Sequence, residues 1–112
     1  MKRIVAIVRP HKRDEITDAL AGIGITGITA VEVQGYGRQR GHAEQYRGAE
    51  YRIEFVPKVR LEVVTDDAFV PRVVETVART ARTGRFGDGK IFVVPVDDCL
   101  RIRTGETGDR AL

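Results

Sequence analysis

Apolar residues change their spacing along the chain, and the first change separates a strand from a helix. Residues 3–9 (RIVAIVR) form a continuous, largely β-branched run that ends at Pro10, which is typical of a buried strand. Residues 11–24 place their apolar side chains at i, i+3, i+4 and i+7, with charged residues between them. Gly22 and Gly24 supply a stop signal. The first quarter of the chain is therefore predicted to be a strand followed by an amphipathic helix.

Three further apolar segments predict strands. Residues 27–34 (GITAVEVQ) alternate enough for a second strand. Residues 53–64 (IEFVPKVRLEVV) predict a third, in which Pro57 marks a bulge or an edge position. Residues 91–96 (IFVVPV) predict the fourth. Between the second and third strands lies a long polar stretch, so a large loop is expected there.

A second helix is expected between the third and fourth strands. Asp66 and Asp67 offer capping oxygens, and a stripe of Val and Ala at helical spacing runs to Ala81. Pro71 is tolerated if it lies in the first turn. The resulting order, β-α-β-β-α-β, folds most simply as an α+β ferredoxin-like sandwich with both helices on one face of the sheet. Because both alternating sets of the first strand are apolar, the other face is expected to be covered by self-association.

Length and composition predict one globular domain over residues 1–112. The chain has 42% hydrophobic and 31% charged residues, and its single cysteine excludes an internal disulfide. No apolar run is long enough for a signal peptide or a membrane span, so a cytoplasmic location is expected. The net charge is +3 and the charges are interspersed, which suits anionic small ligands as well as nucleic acid.

Residues 84–90 (GRFGDGK) raise the possibility of a phosphate site. They match the spacing G-x-x-x-x-G-K, but Ile91 stands where a P-loop needs Ser or Thr, and a helix precedes the loop where a P-loop has a strand. A P-loop NTPase is therefore excluded. The backbone of this loop can still form a concavity for an anion. The alternative is a plain helix-to-strand turn.

Basic residues elsewhere favour the anion interpretation. Arg101 and Arg103 belong to an R-I-R segment that, if extended, projects both guanidinium groups from one face. The alternative is an exposed edge strand with solvated arginines. On the third strand, Lys58, Arg60 and Glu62 share one face, which is expected to lie beside the glycine-rich loops.

No catalytic constellation is predicted. The chain contains no Ser, and its two histidines have no metal-ligand spacing. A nucleotide-dependent enzyme would also need a base beside the γ-phosphate, and the sequence offers none. A nucleic-acid-binding module would need exposed strand aromatics, of which only Phe55 and Phe92 are present. Both classes remain as alternatives.

Four stretches of the sequence together resemble the PII signal-transduction family. They read GYGRQRGH, YRGAEY, TGRFGDGKIFVVPV and RIRTGE, and the resemblance covers essentially the whole chain. It implies a homotrimeric regulator of nitrogen, carbon and energy status with the same order of helices and strands. It also implies binding of ATP or ADP in clefts between subunits and, with Mg-ATP, of 2-oxoglutarate.

The resemblance also assigns residues to these ligands. The implied ATP or ADP residues are Thr29, Gly35, Gly37, Arg38, Gln39, Glu62, Val64, Gly87, Asp88, Gly89, Lys90, Arg101 and Arg103. The implied 2-oxoglutarate residues are Gln39, Arg40, Gly41 and Lys58. Gln39 is the implied protein ligand of Mg²⁺, which bridges the ATP phosphates and the 2-oxo acid.

Three segments of the single domain acquire expected roles. The polar stretch at 37–55 resembles the T-loop of the family, through which targets are contacted, and Tyr51 matches the tyrosine that is uridylylated or adenylylated in many members. Residues 82–90 are the implied phosphate-binding loop, and 101–112 the C-terminal tail. Implied partners are an ammonium channel, the nucleotidyltransferase of the glutamine synthetase cascade or other metabolic enzymes.

Overall fold

The computed structural model describes residues 1–37 and 54–112. In this part of the chain four strands and two α-helices alternate as the sequence predicts. In chain order they are β1 (Lys2–Val8), α1 (Arg13–Gly22), β2 (Thr29–Gly35), β3 (Val56–Thr65), α2 (Val70–Ala81) and β4 (Lys90–Pro95). Short 3-10 turns lie at Pro10–Lys12, Asp67–Phe69 and Gly108–Ala111.

The four strands form one antiparallel sheet in the order β2-β3-β1-β4. Strand β1 lies in the middle, paired with β3 on one side and with β4 on the other. The register places Ile7 beside Arg60 of β3 and beside Lys90 of β4. The predicted α+β ferredoxin-like fold is thereby confirmed.

The core lies between one face of the sheet and the two helices. Alternate residues of β1 and β3 point into it, as the period-2 pattern requires, and each helix contributes its apolar stripe. The members are Ile4, Ala6, Val8, Ile16, Leu20, Val59, Leu61, Val63, Val73, Val77 and Ala81. Within residues 1–37 and 54–112, no helix has the length and apolar character needed to cross a membrane.

The helix ends differ in detail from the sequence prediction. The predicted helix at 11–24 is shorter, because Pro10–Lys12 form a 3-10 turn and Gly24 takes a left-handed φ of 99°. The Asp66 side chain caps the turn before α2 by accepting a hydrogen bond from Phe69 N at 2.9 Å, as expected. The prediction that Asp67 is also a cap is wrong. Its carboxylate lies 2.6 Å from the N-terminal ammonium of Met1, because β1 begins beside the end of β3.

The second face of the sheet has no helix against it in the described part of the chain. Val5 and Ile7 of β1 point to this face, and Phe92 of β4, which pairs with Val5, is 50% exposed. Charged residues of β3 lie beside them, with Arg60 Nε 2.9 Å from Glu62 Oε2. Strand β1 therefore places apolar residues on both faces of the sheet, as the sequence indicated.

The connection between α2 and β4 packs against the end of β1. Gly89 has a left-handed φ of 106°, and a Cβ built on it would lie 1.8 Å from the carbonyl oxygen of Ile7. Neither backbone can yield without disturbing the β1–β4 ladder. Only glycine fits at this position.

Truncation of a core side chain tests the packing of the helices on the sheet. Leu20 is fully buried on α1. Leu20→Ala is expected to lower the free energy of unfolding by about 2–5 kcal/mol, because it removes buried methyl groups and leaves a cavity. Arg79→Ala, on the exposed face of α2, is the control and is expected to change it by less than about 0.5 kcal/mol. Urea denaturation at matched protein concentration measures both, and equal midpoints would contradict the assigned core.

A second substitution tests the close approach of the loop to β1. Gly89→Ala is expected to lower the free energy of unfolding by at least about 2 kcal/mol, because it combines backbone strain with a steric clash. Gly27→Ala is the matched control, since a Cβ there meets nothing within 4 Å and the backbone is not left-handed. Urea denaturation at matched protein concentration measures the stability of both variants. A Gly89→Ala protein as stable as Gly27→Ala would show that the loop does not lie against Ile7.

Candidate functional site

One carboxylate organises the loop at residues 83–90. Asp88 Oδ2 accepts hydrogen bonds from Thr83 N at 2.7 Å and Gly84 N at 2.8 Å. Asp88 Oδ1 accepts from the Thr83 hydroxyl at 2.5 Å and from Arg9 Nε at 3.1 Å. These hydrogen bonds, first among them that of the Thr83 hydroxyl, hold the pKa of Asp88 well below its usual range. The carboxylate is therefore charged, with both of its oxygens engaged within the chain.

Two cationic side chains contact backbone carbonyls of the same loop. Arg9 Nη2 donates to Phe86 O at 2.7 Å, and Lys58 Nζ donates to Gly87 O at 2.6 Å. A trans peptide points its C=O and N–H in opposite directions. The N–H groups of Gly87 and Asp88 therefore point away from the two cations. Successive amides turned outward in a glycine-rich loop form a concavity that favours anions.

The charges around the loop also favour an anion. Arg9, Lys58 and Lys90 surround a loop whose main acidic group, Asp88, is already paired with Arg9. Burial, and next the positive charge of Arg9, lower the pKa of the Lys58 ammonium, whereas Asp88 raises it. A bound anion would relieve this unfavourable placement of Lys58.

A cleft of about 430 Å³ opens beside the loop. It brings together five residues that the sequence assigned to ligands, namely Gly37, Lys58, Gly87, Gly89 and Lys90. Its remaining walls are apolar or aromatic, with Ile7, Tyr36, Phe86 and Phe92. Gly35 lies next to it, since a Cβ on Gly35 would be 3.3 Å from Lys58 Cγ.

A second cleft, of about 590 Å³, collects three other predicted residues. Thr29 and Glu62 pair across β2 and β3, and Val64 lines the same cleft. The C-terminal Leu112 also lines it, and its carbonyl oxygen accepts a hydrogen bond from Arg101 Nη2 at 2.9 Å. Arg101 is therefore hydrogen-bonded to a residue that lines the second cleft.

The two groups lie at opposite ends of the sheet. Lys58 and Glu62 are both on β3, and four residues of a strand span roughly 13 Å. The linings of the two clefts have no residue in common. One chain therefore presents the predicted ligand residues as two separate half-sites.

The prediction of an extended segment at residues 101–103 is wrong. Arg101 O accepts from Gly105 N at 2.7 Å, and Arg101 N donates to Glu106 O at 2.9 Å, so the segment is a turn. Gly105 permits it with a left-handed φ of 76°. Ile102 at the turn is 93% exposed, and Arg103 is exposed beside it. Arg101 Nη1 contacts Glu106 Oε1 at 3.2 Å, so the two arginines have different environments.

Several predicted residues lie outside the described part of the chain. They are Arg38, Gln39, Arg40, Gly41 and Tyr51. Beside this segment, the rings of Tyr36 and Phe55 meet at a centroid distance of 6.1 Å. Among residues 1–37 and 54–112 there is no group of three or more His, Cys, Asp or Glu side chains arranged to hold a metal ion.

Sequence reasoning missed Arg9 and Thr83. Arg9 looked like the end of an apolar strand, and Thr83 like part of a helix terminus. The predicted topology contained a signal for Arg9, because a ferredoxin-like order places the end of β1 beside the start of β4. Thr83 lies within the predicted phosphate-binding loop at 82–90, but its own role was missed, because that role depends on the return of Asp88 onto the loop.

Comparison with known proteins identifies the family. The family model described as "Nitrogen regulatory protein P-II" matches residues 1–106. The chain is 55% identical over 112 residues to "Nitrogen regulatory protein P-II" of Azospirillum brasilense and, equally, to "Nitrogen regulatory protein P-II 1" of Escherichia coli (strain K12). In both cases the match covers 100% of either chain. The chain belongs to the P-II family of nitrogen regulatory signal-transduction proteins.

Proposed function

We propose that this protein senses nitrogen, carbon and energy status by binding ATP or ADP and, together with Mg-ATP, 2-oxoglutarate. The observation that supports this most is the loop at residues 83–90, in which Arg9 and Lys58 hold the carbonyls of Phe86 and Gly87 and the N–H groups of Gly87 and Asp88 point the other way. Family membership supplies the regulatory context. Ligand occupancy would be passed to target proteins through the segment at 37–55.

The phosphates of the nucleotide would bind at Gly87, Asp88, Gly89 and Lys90. Backbone amides and the Lys90 ammonium can donate charge-assisted hydrogen bonds to phosphate oxygens. Gly35, Gly37 and Arg38 would contribute from the neighbouring strand end, and Gln39 through the metal. Asp88 would contribute its backbone N–H and not its side chain, because its carboxylate is negative and already accepts hydrogen bonds within the chain.

The nucleoside would bind between subunits. One subunit would contribute Thr29, Glu62 and Val64 near the nucleoside. The same subunit would contribute Arg101 and Arg103 to the phosphates, and the next subunit would contribute the phosphate loop. The separation of these two groups in one chain supports this arrangement, since they line different clefts. The exposed apolar side chains of Val31, Val64 and Phe92 on the uncovered face support assembly, and the resemblance specifies a homotrimer.

The 2-oxoglutarate site would lie beside the phosphates. Lys58 would receive the distal carboxylate, in exchange for its present contact with Gly87 O, and Arg40 and Gly41 would complete the pocket. Mg²⁺, when bound there, would supply positive charge to offset that of the two anionic ligands. Gln39 would hold it through an amide oxygen, a donor type that Mg²⁺ accepts.

The protein would act by binding and not by catalysis. No carboxylate or histidine lines the described cleft beside the loop. Targets would be an ammonium channel, a nucleotidyltransferase or another metabolic enzyme in the cytoplasm, with Tyr51 as a site of nucleotidylation. Steady ATP turnover faster than about one per second would instead favour an enzyme.

The proposed assembly predicts the mass in solution. Sedimentation equilibrium at micromolar concentration is expected to give three times the 12.5 kDa of one chain, because the open sheet face and both half-sites require neighbours. A mass of one chain that persists at all concentrations would contradict a site built between subunits.

The linkage between the two ligands is also testable. Calorimetric titration of 2-oxoglutarate is expected to give heat with Mg-ATP and none with Mg-ADP or without nucleotide, because the metal needs the γ-phosphate and the 2-oxo acid together. Gln39→Ala is expected to abolish this heat. Gln45→Ala, a glutamine change in the same segment, is the matched control and should retain it. Unchanged 2-oxoglutarate affinity in Gln39→Ala would rule out the proposed metal ligand.

A further inference from the structure

We infer that the Asp88 side chain is a positioning group for the phosphate site: its carboxylate acts through Arg9 and the backbone of the loop and does not itself contact the anion. This inference rests on the proposed function, since it concerns how the loop at 83–90 becomes competent to bind phosphate. Four hydrogen bonds of known geometry carry it, from Thr83, Gly84 and Arg9.

The position and charge of Asp88 argue against direct contact with phosphate. A carboxylate repels an anion, so it would weaken binding if it faced the ligand. Its side chain is only 23% exposed, and all of its observed hydrogen bonds come from within the chain. The Asp88 carboxylate therefore faces the protein, and its backbone N–H points away from the Lys58 ammonium that contacts Gly87 O.

The loop needs a restraint of this kind. Gly84, Gly87 and Gly89 have φ values of 88°, 97° and 106°, so three glycines in six residues are left-handed. Glycine loses more conformational freedom on ordering than any other residue. By bonding to Thr83 and Gly84, Asp88 joins the end of the loop to its beginning and restricts the segment between them, which includes Gly87.

Arg9 carries the effect of Asp88 to the amides. Its Nε is bound to Asp88 at 3.1 Å, and its Nη2 to Phe86 O at 2.7 Å. A Cβ built on Gly87 would lie 3.3 Å from the same Nη2, so the guanidinium lies directly against the loop. Fixing the carbonyl of Phe86 in this way fixes the outward direction of the Gly87 N–H.

Removal of the Asp88 carboxylate changes ATP affinity in a direction that distinguishes a positioning role from simple charge repulsion. If Coulomb forces alone mattered, Asp88→Ala would tighten ATP binding, because a negative charge is lost near the phosphates. The positioning role predicts the opposite, with ATP affinity at least tenfold weaker. Asp88→Asn is expected to fall between Asp88→Ala and wild type, because its amide oxygen still accepts from the loop backbone while the ion pair with Arg9 is lost.

The experiment is a calorimetric titration of Mg-ATP into wild type, Asp88→Ala, Asp88→Asn, Arg9→Ala and the Arg9→Ala/Asp88→Ala double variant. Asp14→Asn is the matched control, since Asp14 also pairs with an arginine Nε, that of Arg13, at 3.0 Å on the surface of α1. Thermal midpoints identify any variant that fails to fold, and Asp88→Asn preserves the shape of the side chain. Asp14→Asn is expected to bind like wild type.

The double variant tests whether Asp88 acts through Arg9. Coupled residues give non-additive effects, so its affinity is expected to be within about threefold of the weaker single variant. A loss equal to the product of the two single losses, or Asp88→Ala affinity equal to or tighter than wild type, would overturn the inference. If wild type itself binds no ATP, the proposed function fails, and this inference fails with it.

Discussion

The end of strand β1 holds the loop at residues 83–90, and the candidate site depends on this contact. Gly89 lies so close to the carbonyl of Ile7 that no other residue fits, and Arg9, immediately beyond the strand, pairs with Asp88. Because β1 is one of the two inner strands of the sheet, the loop is attached to a strand that is hydrogen-bonded on both sides. In the proposed function these contacts would shape the loop before any ligand binds, which would reduce the conformational entropy that binding must overcome.

The second constraint is the length of the strands. Strand β3 carries Lys58 near its start and Glu62 further along the same face, roughly 13 Å away, so the two residues line different clefts of one chain. In the proposed assembly a neighbouring subunit would bring the two clefts together and, in the same step, cover the sheet face that the helices leave open. Nucleotide binding and oligomer formation would then be linked, because each subunit would complete the site of its neighbour.

Much of the fold was predictable from local patterns. The β-branched run in β1 and the Val stripe of α2 each have a clear period, and together with the order of elements they leave few possible topologies. Lys58 could also be placed beside the glycine-rich loop, because alternation along β3 fixes its face. These features depend on nearest neighbours in sequence, which is why they could be predicted.

Features that depend on distant residues were not predictable in the same way. The alternation of arginines at 101–103 suggested a strand, but a left-handed Gly105 and an ion pair to Glu106 make a turn. Asp67 looked like a helix cap, yet the ammonium of Met1 is a stronger partner than a backbone amide. Arg9 gained its role only when the sheet brought β1 and the loop together.

A crystal structure of the protein with Mg-ATP tests the central claim most directly. The account predicts phosphate oxygens within hydrogen-bond distance of the amides at residues 87–89, with the Arg9–Asp88 ion pair intact. It also predicts that Thr29 and Glu62 of an adjacent subunit lie beside the nucleoside. Phosphates bound elsewhere, or a loop that opens with the Arg9–Asp88 pair broken, would contradict it.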